Sequence, residues 1–310
     1  MGRFKLFLEN ILVYGLGGVI SKAVPLIMLP IITRLMPDTF YFGLNDISTT
    51  IVSFGSAIAV LGMYDAMFRL FFDKDNEEYR KTICSTTLAF TSGLSILVFC
   101  VLILFRNFWT EIFFSDRRFV NLLILSAMSI LIGATNSIVS APTRMRNQRK
   151  IFLVTNTLSP IISYAISIPL LVKGMYVVAL PLAAVISALT IEVIFAILNR
   201  NWFSIRRINF SCLKPLLVIA IPLFPNFLVY WVFNSCDRLM IAQMLGMDYN
   251  GIYAIGGKVG QVSQLIYTAF AGGWQFFAFS TMKDKDQVDM TSHIFEYLTA
   301  IAFGAGILMA

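Results

Sequence analysis

Long apolar runs are the feature that most constrains what this chain can fold into. A helix needs about 20 mostly apolar residues to cross a bilayer. Eight runs reach that length, and a ninth begins near residue 293. The runs cover residues 10–33, 44–66, 82–105, 119–143, 151–172, 174–199, 213–236, 249–280 and 293–310. Charged residues are only 13% of the chain, about half the fraction in soluble domains. The sequence therefore predicts an all-α polytopic membrane protein.

The order of features along the chain indicates two halves. Gly43 follows a short turn after the first run, and Gly251 follows a similar turn after the seventh run, at an offset of 208 residues. Because six runs precede residue 200, the halves form a parallel repeat. We predict an N-lobe of six transmembrane helices at residues 1–200. Residues 201–310 are predicted to form a partial C-lobe with two complete spans and an incomplete third. We therefore expect a truncated form of a protein with about twelve spans.

The charges in the loops predict the orientation of the chain. Sixteen of the 24 lysines and arginines lie in loops on the N-terminal side of the membrane, whereas six, Arg238 among them, lie in loops on the opposite side. Because cytoplasmic loops are enriched in Lys and Arg, we expect the N-terminus to be cytoplasmic. The net charge of +7 is then a topology signal, and we expect no nucleic-acid partner.

The sequence lacks the residue clusters that metal sites and hydrolytic triads need. His293 is the only histidine, and the four cysteines form no CxxC pair. A Ser-His-Asp triad or a histidine general base would depend on this single histidine, which follows a charged loop. We therefore expect no metal site, no cofactor and no enzymatic activity.

Several ionisable residues lie inside the apolar runs, where each costs about 2.5–3.5 kcal/mol on insertion scales. Lys22, Glu192 and Lys258 lie deepest, and we expect them to face the protein interior or a watery cavity. Asp46 and Asp237 lie nearer the ends of their runs, from which they can reach water. The alternative for the two lysines is snorkelling to a membrane interface.

Polar residues recur at helical spacing on six of the runs. Such stripes either pack helices together or line a hydrated central cavity, and the two lysines among them favour the cavity. Candidate lining residues are Tyr14 on the first run, Asn136 on the fourth, Asn156 and Ser163 on the fifth, Asn226 on the seventh and Gln261 on the eighth. Prolines within the runs can bend helices around such a cavity, which suits alternating access.

Three segments resemble bacterial oligosaccharide flippases of the multidrug/oligosaccharidyl-lipid/polysaccharide exporter superfamily. They run from Asn10 to Gly43 with Tyr14-Gly15, Ser21-Lys22 and Thr33-Arg34-Leu35, from Arg69 to Lys81 with Phe71-Phe72-Asp73, and from Asp237 to Lys258 with Leu245-Gly246 and Gly251-Ile252-Tyr253. The resemblance implies two six-helix lobes around a central cavity. It also implies flipping of undecaprenyl-pyrophosphate-linked oligosaccharide repeat units across the bacterial cytoplasmic (inner) membrane for surface polysaccharide biosynthesis. This chain departs from the family by lacking most of the second lobe.

The resemblance gives the candidate residues their expected roles. Lys22 and Lys258 attract the pyrophosphate of the substrate, and the polar stripes contact sugar hydroxyls. Asp46, Glu192 and Asp237 couple an ion or balance the lysines. The expected partners are the lipid bilayer, the lipid-linked oligosaccharide, and the glycan polymerase and glycosyltransferases of the same pathway. The alternatives are a multidrug or metabolite antiporter of the same superfamily, a membrane-embedded enzyme such as a glycan polymerase, and an inactive fragment.

Overall fold

The computed structural model describes residues 23–260, 274, 278–279 and 287–309. These residues form helices joined by short connections, and no strand occurs among them. The helices are α1 (Ala23–Leu35), α2 (Thr39–Val60), α3 (Met63–Phe71), α4 (Glu77–Leu104), α5 (Arg106–Phe114), α6 (Val120–Met145), α7 (Arg149–Val172), α8 (Ala179–Leu198), α9 (Leu213–Met244), α10 (Met247–Gly260) and α11 (Gln287–Met309).

Five helices in the described part of the chain are long and apolar enough to cross a membrane. They are α4, α6 with the turn that precedes it, α7, α8 and α9 with the turn that precedes it. A sixth span forms if α2 and α3, which meet at an angle of 46°, are counted together. The apolar runs thus predicted these spans at the right places in the chain.

The bend between α2 and α3 has a local cause that an apolar run does not reveal. Leu61 and Gly62 both adopt left-handed backbone conformations, with φ values of 49° and 71°. A left-handed residue ends a helix, because its amide group can no longer continue the ladder of hydrogen bonds. The predicted run 44–66 is therefore two helices with a break.

Polar caps and helix ends account for the main differences from the predicted boundaries. The side chain of Asn76 accepts a hydrogen bond from the Tyr79 amide at 3.1 Å, so α4 begins in the charged loop before residue 82. Helix α9 continues to Met244, well past the predicted end at residue 236. Asp237 and Arg238 therefore lie inside a helix, and the expectation that Arg238 occupies an external loop is wrong.

Helix α6 lies at the centre of the N-lobe and packs against α2, α4 and α8. In the buried core that it shares with α2, the hydroxyl groups of Ser48 and Ser126 lie 2.7 Å apart and satisfy each other. At the opposite end of α6, the side-chain amide of Asn199 donates to the Val139 carbonyl and to the Thr143 hydroxyl, both at 2.9 Å. These polar contacts hold α2 and the end of α8 in a fixed register on α6.

The two predicted lobes meet where α2 packs against α9 and α10. A Cβ atom built on Gly43 would lie 2.0 Å from the carbonyl oxygen of Met247, and one built on Gly251 would lie 2.0 Å from that of Thr39. The backbones of α2 and α10 can approach this closely only because both positions are glycine. Gly251 and Gly43 are 208 residues apart, and so are Met247 and Thr39, so the two contacts are related by the offset of the predicted repeat.

Candidate functional site

An ion pair between α2 and α9, which belong to the two predicted lobes, forms the centre of the site. The Arg238 guanidinium, on α9, donates through Nη1 to the Asp46 carboxylate on α2. Asp46 is buried, with 5% of its side chain exposed, and Arg238 has 19% exposed. The expectation that Asp46 reaches water from the end of its run is wrong, because α9 and α10 cover it.

Asn250 on α10 adds a second link from the C-lobe to α2. Its side-chain amide donates to the Gly43 carbonyl at 3.2 Å and to Asp46 Oδ2 at 3.4 Å. The close crossing of α2 and α10 makes this possible, because it brings the fully buried Asn250 against the α2 backbone. Asp46 thus accepts hydrogen bonds from two helices of the C-lobe.

Lys258 is a second cation at the same junction. Its side chain is half-buried, and its Nζ lies 5.8 Å from the centre of the Phe42 ring. The lysine is thus held next to an aromatic ring of α2.

Aromatic side chains tie α9 to neighbouring helices on either side of the ion pair. The Trp231 indole donates to Ser53 Oγ at 3.0 Å and to the Thr50 carbonyl at 3.3 Å, both on α2. Beyond the pair, the Tyr253 hydroxyl on α10 donates to the Asp237 carboxylate. These contacts orient the face of α9 that carries Arg238 toward α2.

The junction retains unused hydrogen-bonding capacity. Arg238 Nε and Asn250 Oδ1 are both buried and have no hydrogen-bond partner among the described residues. Buried polar atoms of proteins are nearly always paired. The free Nε–H of Arg238 is able to donate to a further oxygen atom, such as that of an anion, whereas Asn250 Oδ1 can only accept a hydrogen bond.

The other predicted residues are distributed over the N-lobe and α9. Glu192 is half-buried on α8. Asn136 has a buried Oδ1 with no partner in the described part of the chain. Asn156 donates to the Phe152 carbonyl of its own helix at 3.0 Å.

The remaining candidates add nothing to the junction. Ser163 is half-buried on α7, and Asn226 is exposed on α9. Tyr14, Lys22 and Gln261 lie outside the described residues. The structure thus brings together Asp46, Asp237 and Lys258, and it leaves the other described candidates elsewhere.

Sequence reasoning missed Arg238, Asn250, Tyr253 and Trp231 as members of this site. Apolar residues resume directly after Arg238, in Leu239-Met240-Ile241-Ala242, and this was the available signal that α9 continues. Continuing the helical spacing from Trp231 would have placed Arg238 two turns further along the same face.

A cleft separates α3 from α9 on the predicted cytoplasmic side of the ion pair. It encloses about 640 Å³ and is bordered by Asp65 and Arg69 on α3, Pro222 on α9 and Phe279. Gly62 and Ala220 are in contact nearby, since a Cβ built on Gly62 would lie 2.8 Å from the Ala220 carbonyl oxygen. The cleft therefore has charged and apolar walls beside a narrow backbone contact between α9 and the bend that precedes α3.

Comparison with known proteins identifies the family. A family model described as "Polysaccharide biosynthesis protein" matches residues 31–309. The chain belongs to this family. The sequence matches none of the curated proteins with which it was compared. Membership confirms the predicted relationship to the exporters of the MOP (multidrug/oligosaccharidyl-lipid/polysaccharide) superfamily.

Solved structures with the same fold are transporters. The MATE multidrug transporter DinF-BH, solved with a bound ligand, is 12% identical with a TM-score of 0.71, covering 89% of this chain and 65% of that one. A MATE structure in the straight conformation is 15% identical with a TM-score of 0.69, covering 97% and 70%. An outward-facing multidrug resistance MATE transporter of the MOP superfamily is 15% identical with a TM-score of 0.58, covering 96% and 75%.

These matches confirm the predicted fold class. This member of the polysaccharide biosynthesis family is an all-α, multi-pass membrane protein with the fold of MATE transporters. Its family and its structural neighbours place it among the membrane transporters of the MOP superfamily. At identities of 12% to 15%, the neighbours inform the fold and not the substrate.

Proposed function

We propose that this family member flips undecaprenyl-pyrophosphate-linked oligosaccharide repeat units across the bacterial cytoplasmic membrane for surface polysaccharide biosynthesis. The observation that carries the proposal is the pair of cations, Arg238 and Lys258, held inside the protein between the two lobes. A pyrophosphate is the most strongly charged part of such a lipid. Arg and Lys bind phosphate oxygens through charge-assisted hydrogen bonds, and these strengthen where water is excluded.

The lobes alternate in exposing this site to the two sides of the membrane. The headgroup enters through the cleft between α3 and α9 and binds between the lobes at Lys258 and Arg238, with Lys22 as a further cation. Asn136, Asn156, Ser163, Asn226, Tyr14 and Gln261 contact sugar hydroxyls or line the path. Asp46, Glu192 and Asp237 balance the cations or couple an ion to the movement.

The orientation and the partners are part of the same proposal. The N-terminus is cytoplasmic, so the ion pair lies toward the external side, because α2 begins there. The protein acts in the lipid bilayer with its lipid-linked substrate, and it works beside the glycan polymerase and glycosyltransferases of the pathway. It forms no glycosidic bond itself, in keeping with transporter relatives.

Transport in proteoliposomes tests the function. Purified protein is reconstituted with undecaprenyl-pyrophosphate-linked oligosaccharide, and a membrane-impermeant lectin reports the fraction of glycan in the outer leaflet. We expect Lys258→Gln to reduce the rate of flipping, whereas Lys214→Gln, at the exposed start of α9, leaves it unchanged. If both variants flip the lipid as fast as the parent protein, Lys258 does not act on the substrate.

A multidrug antiporter is the second candidate, because the fold neighbours include multidrug transporters. Cationic drugs favour acidic cavities, and the cations at the Asp46 junction oppose such a cargo. A drug-resistance assay in a strain that lacks its own efflux pumps separates the two functions. Raised resistance to cationic drugs, without any flipping of the glycolipid, would replace the first proposal with the second.

A further inference from the structure

We propose that, in the absence of substrate, the Asp46 carboxylate binds the Arg238 guanidinium at the place where the anionic group of the transported lipid binds during transport. In the exchange, the pyrophosphate takes the place of Asp46 on the guanidinium. The loss of this ion pair removes the link between α9 and α2 on the predicted external side, while the contact of Trp231 with α2 remains. The inference rests on the transport function proposed above, and it assigns to Arg238 and Asp46 the step that links binding to opening.

The geometry of Arg238 leaves room for a better anion than Asp46. Only Nη1 bonds the carboxylate, and the buried Nε has no partner among the described residues. A guanidinium presents its donors in a planar fork that matches two oxygens of a phosphate. The free Nε–H lies on the same edge of the guanidinium as Nη2, so two oxygens of a phosphate group can accept from Nε and Nη2 together, whereas Asp46 accepts from Nη1 alone among the guanidinium donors.

The charge balance at the junction favours the same exchange. Arg238 is paired with Asp46, whereas Lys258 forms no ion pair in the described part of the chain and lies against the Phe42 ring. Asp237 accepts from the Tyr253 hydroxyl and from the backbone amide of Arg238, so it is not paired with either cation among the described residues. A multiply charged anion balances two cations more completely than one carboxylate does.

The exchange also loosens the contact between the lobes. Once Arg238 turns to the lipid, the hydrogen bond that remains on Asp46 from the described C-lobe helices is that of Asn250, at a long 3.4 Å. Buried ion pairs add little net stability, because desolvation offsets most of their attraction. Asp46 can therefore be released when a competing anion supplies the charge that Arg238 requires.

Pulsed EPR distances between the lobes test the exchange. Spin labels are placed at N107C on α5 and L245C after α9, both exposed positions, in a background whose four native cysteines are replaced by alanine. The protein in nanodiscs is measured alone, with undecaprenyl pyrophosphate, and with undecaprenol, which has the same chain and no phosphate. We expect undecaprenyl pyrophosphate to add a population with a longer distance, and undecaprenol to add none.

Two variants assign the effect to the ion pair. Asp46→Asn removes the competing anion, so the longer distance should appear without lipid. Arg238→Gln removes both the ion pair and the receptor for the phosphate, so the longer distance should appear without lipid and the added lipid should not change it further. Glu111→Gln, in an exposed ion pair within the N-lobe, is the matched control and should behave like the parent protein. An unchanged distance in Asp46→Asn, or an equal response to undecaprenol, would overturn the exchange.

Transport kinetics separate this inference from the proposed function. For the exchange, we expect Arg238→Gln to raise the KM for the lipid-linked oligosaccharide about tenfold, the effect of one lost charge-assisted bond. If the parent protein transports the glycolipid and Arg238→Gln has an unchanged KM and distance, the exchange is wrong and the function stands. If no glycolipid moves while undecaprenyl pyrophosphate still lengthens the distance, the exchange stands and the function is wrong.

Discussion

Gly43 and Gly251 lie against each other at the crossing of α2 and α10, and each faces the backbone of the opposite helix. The two helices are related by the offset of the predicted repeat. Each glycine therefore faces the carbonyl group four residues before the other glycine, that of Met247 for Gly43 and that of Thr39 for Gly251. Such a reciprocal contact is the pattern of a two-fold interface. The two predicted lobes are therefore in direct backbone contact at this crossing. The side chains of Asp46, Arg238 and Asn250 lie around it.

We expect Gly43→Ala and Gly251→Ala each to destabilise the protein by about 1–3 kcal/mol, the usual effect of overpacking. Both added methyl groups would lie within 2.0 Å of a carbonyl oxygen, so α2 and α10 must separate. Gly93→Ala in α4 is the control, because no atom lies within 4 Å of its added methyl group. Since alanine favours a helix over glycine, the control should raise the melting temperature in detergent. The same sign for all three would contradict the close crossing.

Asp46→Asn and Arg238→Gln should each lower the free energy of unfolding. The sum of the two losses should exceed the loss in the double variant. Removing one partner leaves a largely buried charge without compensation, whereas removing both leaves neutral amides. A double-mutant cycle from denaturant unfolding in micelles should therefore give a coupling of about 0.5–3 kcal/mol. Additive effects of the two changes would show that the residues do not interact in solution.

The apolar runs predicted the helices well because membrane burial depends mainly on local composition. Helix ends were predicted less well, since caps such as Asn76 and the continuation of α9 through Asp237 and Arg238 are polar. A charged residue lowers the mean hydropathy of a segment, so the segment is predicted to be a loop. A partner on another helix makes burial of such a residue possible. Asp46 supplies that partner for Arg238, and it lies 192 residues away in sequence.

The same reasoning explains why only part of the candidate site could be predicted. Asp46, Asp237 and Lys258 were found because an ionisable group inside an apolar run is conspicuous in the sequence. Glu192 was found by the same signal, but the structure places it half-buried on α8, a helix that packs against α6 and α7. Which helix faces which cannot be obtained from composition, because it follows from close contacts such as that between Gly43 and Gly251.

Gly62→Ala should destabilise the bent span more than Gly174→Ala does. Both glycines have left-handed backbones, with φ of 71° and 82°, where alanine costs about 1 kcal/mol. Only at Gly62 would the new methyl group also meet a backbone atom, the Ala220 carbonyl oxygen at 2.8 Å. Gly174 has no atom within 4 Å of that position. Melting temperatures of the two variants should therefore differ, and equal values would mean that α9 moves away from the bend freely.

Asn199→Ala should cost about 1–3 kcal/mol, whereas Asn156→Ala should cost less than about 1 kcal/mol. Asn199 is buried and holds the end of α8 on α6 through the Val139 carbonyl and the Thr143 hydroxyl. Among the described residues, Asn156 bonds the Phe152 carbonyl of its own helix and no other helix. Unfolding in detergent micelles measures both changes, and similar losses would show that the contact between α8 and α6 does not depend on Asn199.

Asn199→Asp sharpens that comparison because it keeps the shape of the side chain and removes its donor. The carboxylate oxygen would face the Val139 carbonyl, which cannot donate a hydrogen bond, so repulsion replaces attraction. We expect Asn199→Asp to lower the melting temperature at neutral pH more than Asn199→Ala does. The loss should shrink as the pH falls and the new carboxyl group takes up a proton, since the protonated acid is again a donor. A decrease in melting temperature that does not depend on pH would show that Asn199→Asp disturbs packing and not the hydrogen bond.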